Sequence, residues 1–121
     1  MPVRTEHEKL VAYERAVDAA VLLDGIVQKI PEPRADLKDQ LRRASASVPL
    51  NLAEGAGEFS PPEKARSYRL ARRSAAECSA ILDLLARITD PRPDLDEARA
   101  LLAELASMLT GMVKAVERRP K

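Results

Sequence analysis

Four polar residues come nearest to forming a shared site in this 121-residue chain: Asn51, Glu54, Ser74 and Glu77. Asn51 and Glu54 lie about one turn apart on one predicted helix, and Ser74 and Glu77 repeat that spacing on the next. A pair of carboxylates can act as general acid and base. A reaction also needs a nucleophile, a metal or a cofactor held against them, and no such group stands beside these four in the sequence. The reading favoured by the residues is therefore a polar network that specifies helix pairing, with a binding role second. An amide set on a buried stripe has to find partners, because leaving it unsatisfied costs on the order of 1–3 kcal/mol.

The remaining reactive groups point the same way. His7, the single histidine, falls at the start of the first helix with no nucleophile pattern around it. Cys78, the single cysteine, lies on an apolar stripe, where a thiol behaves as a small hydrophobe and has no disulfide partner. Neither clustered Cys and His nor a Glu-x-x-His pair occurs. Gly55-Ala56-Gly57 lacks the lysine and hydroxyl of a phosphate loop and follows a helix instead of a strand. The expectation is no catalytic residue, no metal, no cofactor and no enzyme.

Phosphate contact is the other chemistry to weigh. Lys64, Arg66, Arg69, Arg72 and Arg73 follow one another with no acid between them. Arg66, Arg69 and Arg73 share the outward face of one helix, and Arg42 and Arg43 add cations on the helix before it. Against a strong nucleic-acid binder stand a net charge of +1 and only three aromatic residues, Tyr13, Phe59 and Tyr68, too few for a stacking platform.

The elements that position these groups are all helical. Hydrophobic residues make up 45% and charged residues 32% of the chain but aromatics only 2%, a mixture of good helix formers with few strand formers. Breaks at Pro31–Pro33, Gly55–Pro62 and Asp90–Pro93 leave four segments. Thr5 with Glu8 is spaced as a capping box for the first, whose apolar stripe is Tyr13, Ala16, Ala20, Leu23, Val27 and Ile30. The second starts at Pro33 and carries Leu37, Leu41, Ala44, Val48, Asn51 and Gly55. Pro49 interrupts it, freeing the Ser45 carbonyl, with Ser45 and Ser47 placed to bond freed backbone groups. Ser60, Pro61, Pro62 and Glu63 open the third, with the stripe Lys64, Tyr68, Ala71, Ala75, Cys78, Leu82 and Leu85. Asp94 and Glu97 open the fourth, with Leu95, Ala98, Leu102, Leu105, Leu109, Met112 and Val116. Leu101, Met108 and Ala115 widen that last stripe into surplus apolar surface, a candidate oligomer interface.

Four helices of about 25 residues, each close to 37 Å long, joined by short turns, predict an all-α, antiparallel up-down-up-down four-helix bundle filling residues 1–121 as one domain. The polar N-terminus and the absence of a long apolar run predict a cytoplasmic protein with no membrane partner.

Over essentially its whole length, and most plainly in the stretch from Gln40 to Gly57, the chain resembles the four-helix-bundle family of proteins encoded in intervening sequences of large-subunit ribosomal RNA genes. More distantly it is similar to the accessory variability proteins of diversity-generating retroelements. The family block Q-x-x-R-A-x-x-S-[IV]-x-x-N-[IL]-A-E-G is matched by Gln40, Arg43, Ala44, Ser47, Val48, Asn51, Leu52, Ala53, Glu54 and Gly55. A second block, an aromatic followed by A-x-G-S-x-x-E, is met by Tyr68, Ala71, Ser74 and Glu77, with Arg73 in place of the usual small residue. The resemblance implies a four-helix protomer, a ring-like homo-oligomer such as a pentamer, and no enzymatic reaction. From the retroelement branch it also implies contact with nucleic acid or with a nucleic-acid-bound protein.

Overall fold

The computed structural model describes the backbone of residues 2–89 and 94–118, and side chains from Lys9 onward within those ranges. Four helices follow in order: α1 (Pro2–Gln28), α2 (Ala35–Gly57), α3 (Pro61–Ile88) and α4 (Asp96–Glu117), with one 3₁₀ turn, Glu32–Arg34, leading into α2. Each of α1 and α3 packs against both α2 and α4, closing a four-helix bundle.

The helix directions follow from who meets whom. Ser47 touches Ser74 while Gly55 faces Tyr68, so numbers rise along α2 as they fall along α3. Arg69 pairs with Glu117 and Arg99 with Asp83, which sets α4 against α3 in the same sense. Tyr13 shares a groove with Ala53 and Ala56, and the short connection around Pro31 folds α1 back on α2.

The core is aliphatic. Leu23, Leu41, Val48, Leu82, Leu85, Leu102, Leu105 and Leu109 are buried from all four helices, with Tyr68 as the one large aromatic among them. The expected stripes of α3 and α4 are buried throughout, and Val113 joins the latter. Along α1 and just past its end the buried line is Ala12, Ala16, Ala19, Leu23, Val27 and Ile30, turned slightly from the expected one. Tyr13 is partly exposed, and alanines take three of the six buried positions.

The helix starts differ in detail. α1 begins at Pro2, upstream of Thr5, so the capping-box spacing there does not mark its start; the side chains of Thr5, His7 and Glu8 lie outside the described residues. Pro33 falls in the 3₁₀ turn and α2 starts just after it, at Ala35. Ser60 is the residue before α3 as expected, but its hydroxyl makes no cap; its carbonyl accepts the Lys64 amide at 2.9 Å instead. Prolines at the next two positions have no amide to offer it. For α4, Asp94 accepts the Asp96 amide at 3.2 Å, which anchors the entry to the helix. Asp90–Pro93 lies outside the described residues.

Candidate functional site

The polar residues singled out by spacing converge on the seam between α2 and α3, with one shift of centre. Ser47, not a carboxylate, is the hub. The Asn51 amide nitrogen donates to the Ser47 carbonyl and to its hydroxyl oxygen, both at 2.8 Å, and the Ser74 hydroxyl reaches the same oxygen from α3 at 2.9 Å. Asn51 thus finds its partner one turn back on its own helix, and the link across the seam is serine to serine. Glu54 and Glu77 are exposed and make no hydrogen bond among the described residues. The expected four-residue network is a three-residue one, because both carboxylates point to the wet side of the seam.

Pro49 stands inside α2, yet neither serine reaches the carbonyl it frees. Ser45 donates to the Arg42 carbonyl at 3.0 Å, and Ser47 is engaged with Asn51 and Ser74. Replacing Ser47 with alanine removes the oxygen that both partners use, and the expected loss is about 1 kcal/mol of stability, read from the urea midpoint at unchanged m-value. Glu54→Gln and Glu77→Gln should each stay within about 0.5 kcal/mol of the parent.

Beside the hub the seam opens into a groove of about 450 Å³ lined by Gln40, Arg43, Ala44, Ser47, Ser74 and Glu77. Arg43 and Glu77 flank it from opposite helices without forming an ion pair. Arg73 is exposed, so the residue that replaces a small one in the second motif faces water, and the close contact of α3 with α2 falls to its neighbour Ser74.

Two residues at the end of the seam carry more than their types suggested. Gly55 is buried against Tyr68: a methyl group added there would stand 2.5 and 2.7 Å from the tyrosine ring and 3.2 Å from the Ser67 Cβ. Lys64, 7% exposed, aims its ammonium at the last turn of α2, 2.7 Å from the Gly55 carbonyl and 3.4 Å from that of Ala56. A cation at a helix C-terminus opposes the helix dipole, and here it joins the Glu58 amide on the Gly55 carbonyl and also meets the carbonyl of Ala56. A lysine on an otherwise apolar stripe, just after a glycine-rich helix end, was the sequence signal for this contact.

The arginines divide into tethered and free. Arg69 bonds Glu117 at 2.7 Å, Arg72 reaches the Thr110 hydroxyl at 3.5 Å, and Arg42 pairs with Asp39 at 3.1 Å. Arg43, Arg66 and Arg73 are exposed and have no ion pair among the described residues. On α4, Leu101 and Met108 are half-buried against their own chain's core and Ala115 is exposed, so the surplus stripe is largely used within the bundle.

Cys78 is fully buried, and burial, reinforced by the negative charge of Glu77, pushes its thiol up to about 12. The folded state therefore holds the proton that the unfolded chain releases near pH 9, and stability should fall as pH climbs from about 9 toward 12. Cys78→Ala should flatten that alkaline limb. In the native protein at pH 8 the thiol should stay unreactive toward a disulfide reagent until denaturant is added.

Among the described residues no cluster of His, Cys, Asp and Glu could hold a metal ion, and no helix is long and apolar enough to cross a membrane. Fold and seam together define a small all-α protein of the four-helix class, with a cluster of two hydroxyls and an amide on the seam between α2 and α3. The chain belongs to the 23S rRNA-intervening sequence protein family, whose model matches residues 8–111. It is similar in fold to a crystal structure of a protein of unknown function from the S23 ribosomal protein family of Bacteroides thetaiotaomicron, at 19% identity and a TM-score of 0.78 over 88% of this chain and 98% of that one. No curated protein matches the sequence.

Proposed function

We propose that this protein is a non-catalytic assembly module that works as a homo-oligomer. The observation that carries the reading is apolar surface left in water by a chain that otherwise buries its hydrophobic residues well. Leu10, Val21, Leu50, Phe59 and Leu84 are all at least half exposed, and Phe59 is 98% exposed. Soluble monomers seldom leave large apolar patches open, and Leu10 lines a surface groove together with Tyr13, Leu52 and the α2 alanines Ala53 and Ala56. Because Leu101 and Met108 serve their own core, this reading places the association surface on α1 and α2 instead of α4. The family resemblance favours a ring of five. Non-catalytic character draws support from the groups that are present: a buried, protonated thiol and seam hydroxyls already committed to each other and, at Ser47, to Asn51. Light scattering across micromolar concentrations should give a mass of two or more times the single-chain 13.3 kDa; a constant single-chain mass would overturn the proposal.

A second reading, contact with nucleic acid, is favoured by one observation: Arg43, Arg66 and Arg73 are exposed and have no ion pair among the described residues. Repeated around a ring, such cations would meet phosphates at low salt. The family name mentions 23S rRNA, which makes ribosomal RNA the first probe. In a filter-binding titration, Arg66→Ala with Arg73→Ala should lower affinity and flatten the salt slope by about one unit for each phosphate no longer neutralised. Arg69→Ala should do less, since Glu117 already holds that side chain. Absence of binding at low salt would remove this reading.

A further inference from the structure

Gln40, Arg43 and Ser47 follow one another at single-turn spacing on α2, and all three line the groove at the seam. Ser74 and Glu77, also one turn apart, line it from α3, and the buried Ala44 adds only a methyl group. The side chains of Gln40, Arg43 and Glu77 make no hydrogen bond or ion pair among the described residues. One helix therefore offers the groove a guanidinium and an amide and the other a carboxylate, and the chain itself neutralises neither charge. The serines add a donor. Their link uses one of the pair's two hydroxyl protons, and Asn51 brings its own, so whichever serine donates, one hydroxyl proton is left over. No acceptor among the described residues takes it.

This set of groups selects by charge. A simple anion drawn to Arg43 meets the like charge of Glu77, and a simple cation drawn to Glu77 meets that of Arg43. A molecule of no net charge, carrying one charge of each sign, can satisfy both. We propose that the groove binds the head group of a free α-amino acid, its carboxylate on Arg43 and its ammonium on Glu77. A guanidinium can hold a carboxylate through two parallel hydrogen bonds, and the Gln40 amide and the spare serine proton are further donors in the same groove. An enclosed cavity of about 150 Å³ holds benzene, so a groove of about 450 Å³ has room for a side chain beyond the head group. Both charges are exposed, which weakens each contact, and the expected affinity is roughly millimolar. The proposal is independent of self-association. It gives Arg43 a partner other than phosphate and leaves Arg66 and Arg73 to the nucleic-acid reading.

Backbone amide resonances of the isotope-labelled protein test it. The probes are the standard L-amino acids one at a time, propionate and ethylamine as the two halves of the head group, and inorganic phosphate. At least one amino acid should move the amides of residues 40–47 and 74–77 along a saturating curve, with propionate and ethylamine each binding about tenfold more weakly or worse. Arg43→Gln and Glu77→Gln, both at exposed positions, should keep the parent's circular dichroism and each weaken amino-acid binding by about tenfold. If no amino acid moves these amides up to its solubility limit, the proposal fails. An equal response to propionate or to phosphate would overturn it in favour of a plain anion site, and so would amino-acid binding that Glu77→Gln leaves unchanged.

Discussion

Gly55→Ala is expected to destabilise the protein by about 1–3 kcal/mol, a large share of what a domain of this size possesses. Alanine is ordinarily the better helix residue by about 1 kcal/mol, so the predicted sign runs against propensity. The reason is steric. The new methyl group would stand 2.5 Å from a ring carbon of Tyr68, whose side chain is 0% exposed and enclosed on every side. The rigid ring cannot bend aside, and α2 and α3 must separate where their seam is tightest. Shortening the opposing residue tests the cause: in a Tyr68→Leu background, Gly55→Ala should cost much less or become mildly stabilising. A cycle of urea unfolding curves measures that coupling. Equal costs in both backgrounds would show that the glycine is needed for some other reason.

Lys64→Met should cost about 1.5–3 kcal/mol, the range for a hydrogen bond to a charged group. Methionine keeps most of the volume of the lysine stem, so packing changes little, but the Gly55 and Ala56 carbonyls lose the ammonium that meets them at 2.7 and 3.4 Å. The loss should be local first. Amide exchange in the last turn of α2 should accelerate more than exchange in α4, because the contact pins the end of α2 to the start of α3. A uniform acceleration across the bundle would mean that Lys64 matters only to global stability. Together these substitutions test the idea that the glycine-rich end of α2 is a packing and capping device, with no phosphate to hold.

The fold was legible because its signals are periodic. The α3 stripe from Lys64 to Leu85 and the α4 stripe from Leu95 to Val116 are buried throughout, since an amphipathic helix has only one way to hide such a face. The α1 stripe was harder to read. Where alanines stand at Ala12, Ala16, Ala19 and Ala20, hydrophobicity alone does not say which are inside, and closeness of helix approach decides it. Spacing placed Asn51 and Ser74 at the seam, but it could not rank partners: the nearest acceptor for Asn51 was on its own helix, at Ser47. Glu54 and Glu77 share faces with the seam residues and still turn to water, because a carboxylate keeps its hydration unless a cation or donor meets it. The surplus on α4 illustrates the reverse case. Leu101 and Met108 widen the stripe, and the bundle is broad enough there to take them in. Phe59, in the connection between α2 and α3, has no helical period around it, and periodicity is blind to its exposure.

The self-association reading requires that exposed apolar surface, Phe59 included, be covered by a second copy of the chain. Because the sequence contains one phenylalanine, incorporation of a fluorinated analogue gives a single fluorine reporter at Phe59. Its resonance, followed from dilute to concentrated protein, measures that covering directly. The expected result is a shift away from the solvent-exposed position and loss of sensitivity to a soluble paramagnetic quencher, in step with the rise in mass. A resonance that remains solvent-exposed and fully quenched at concentrations where the protein is assembled would contradict it.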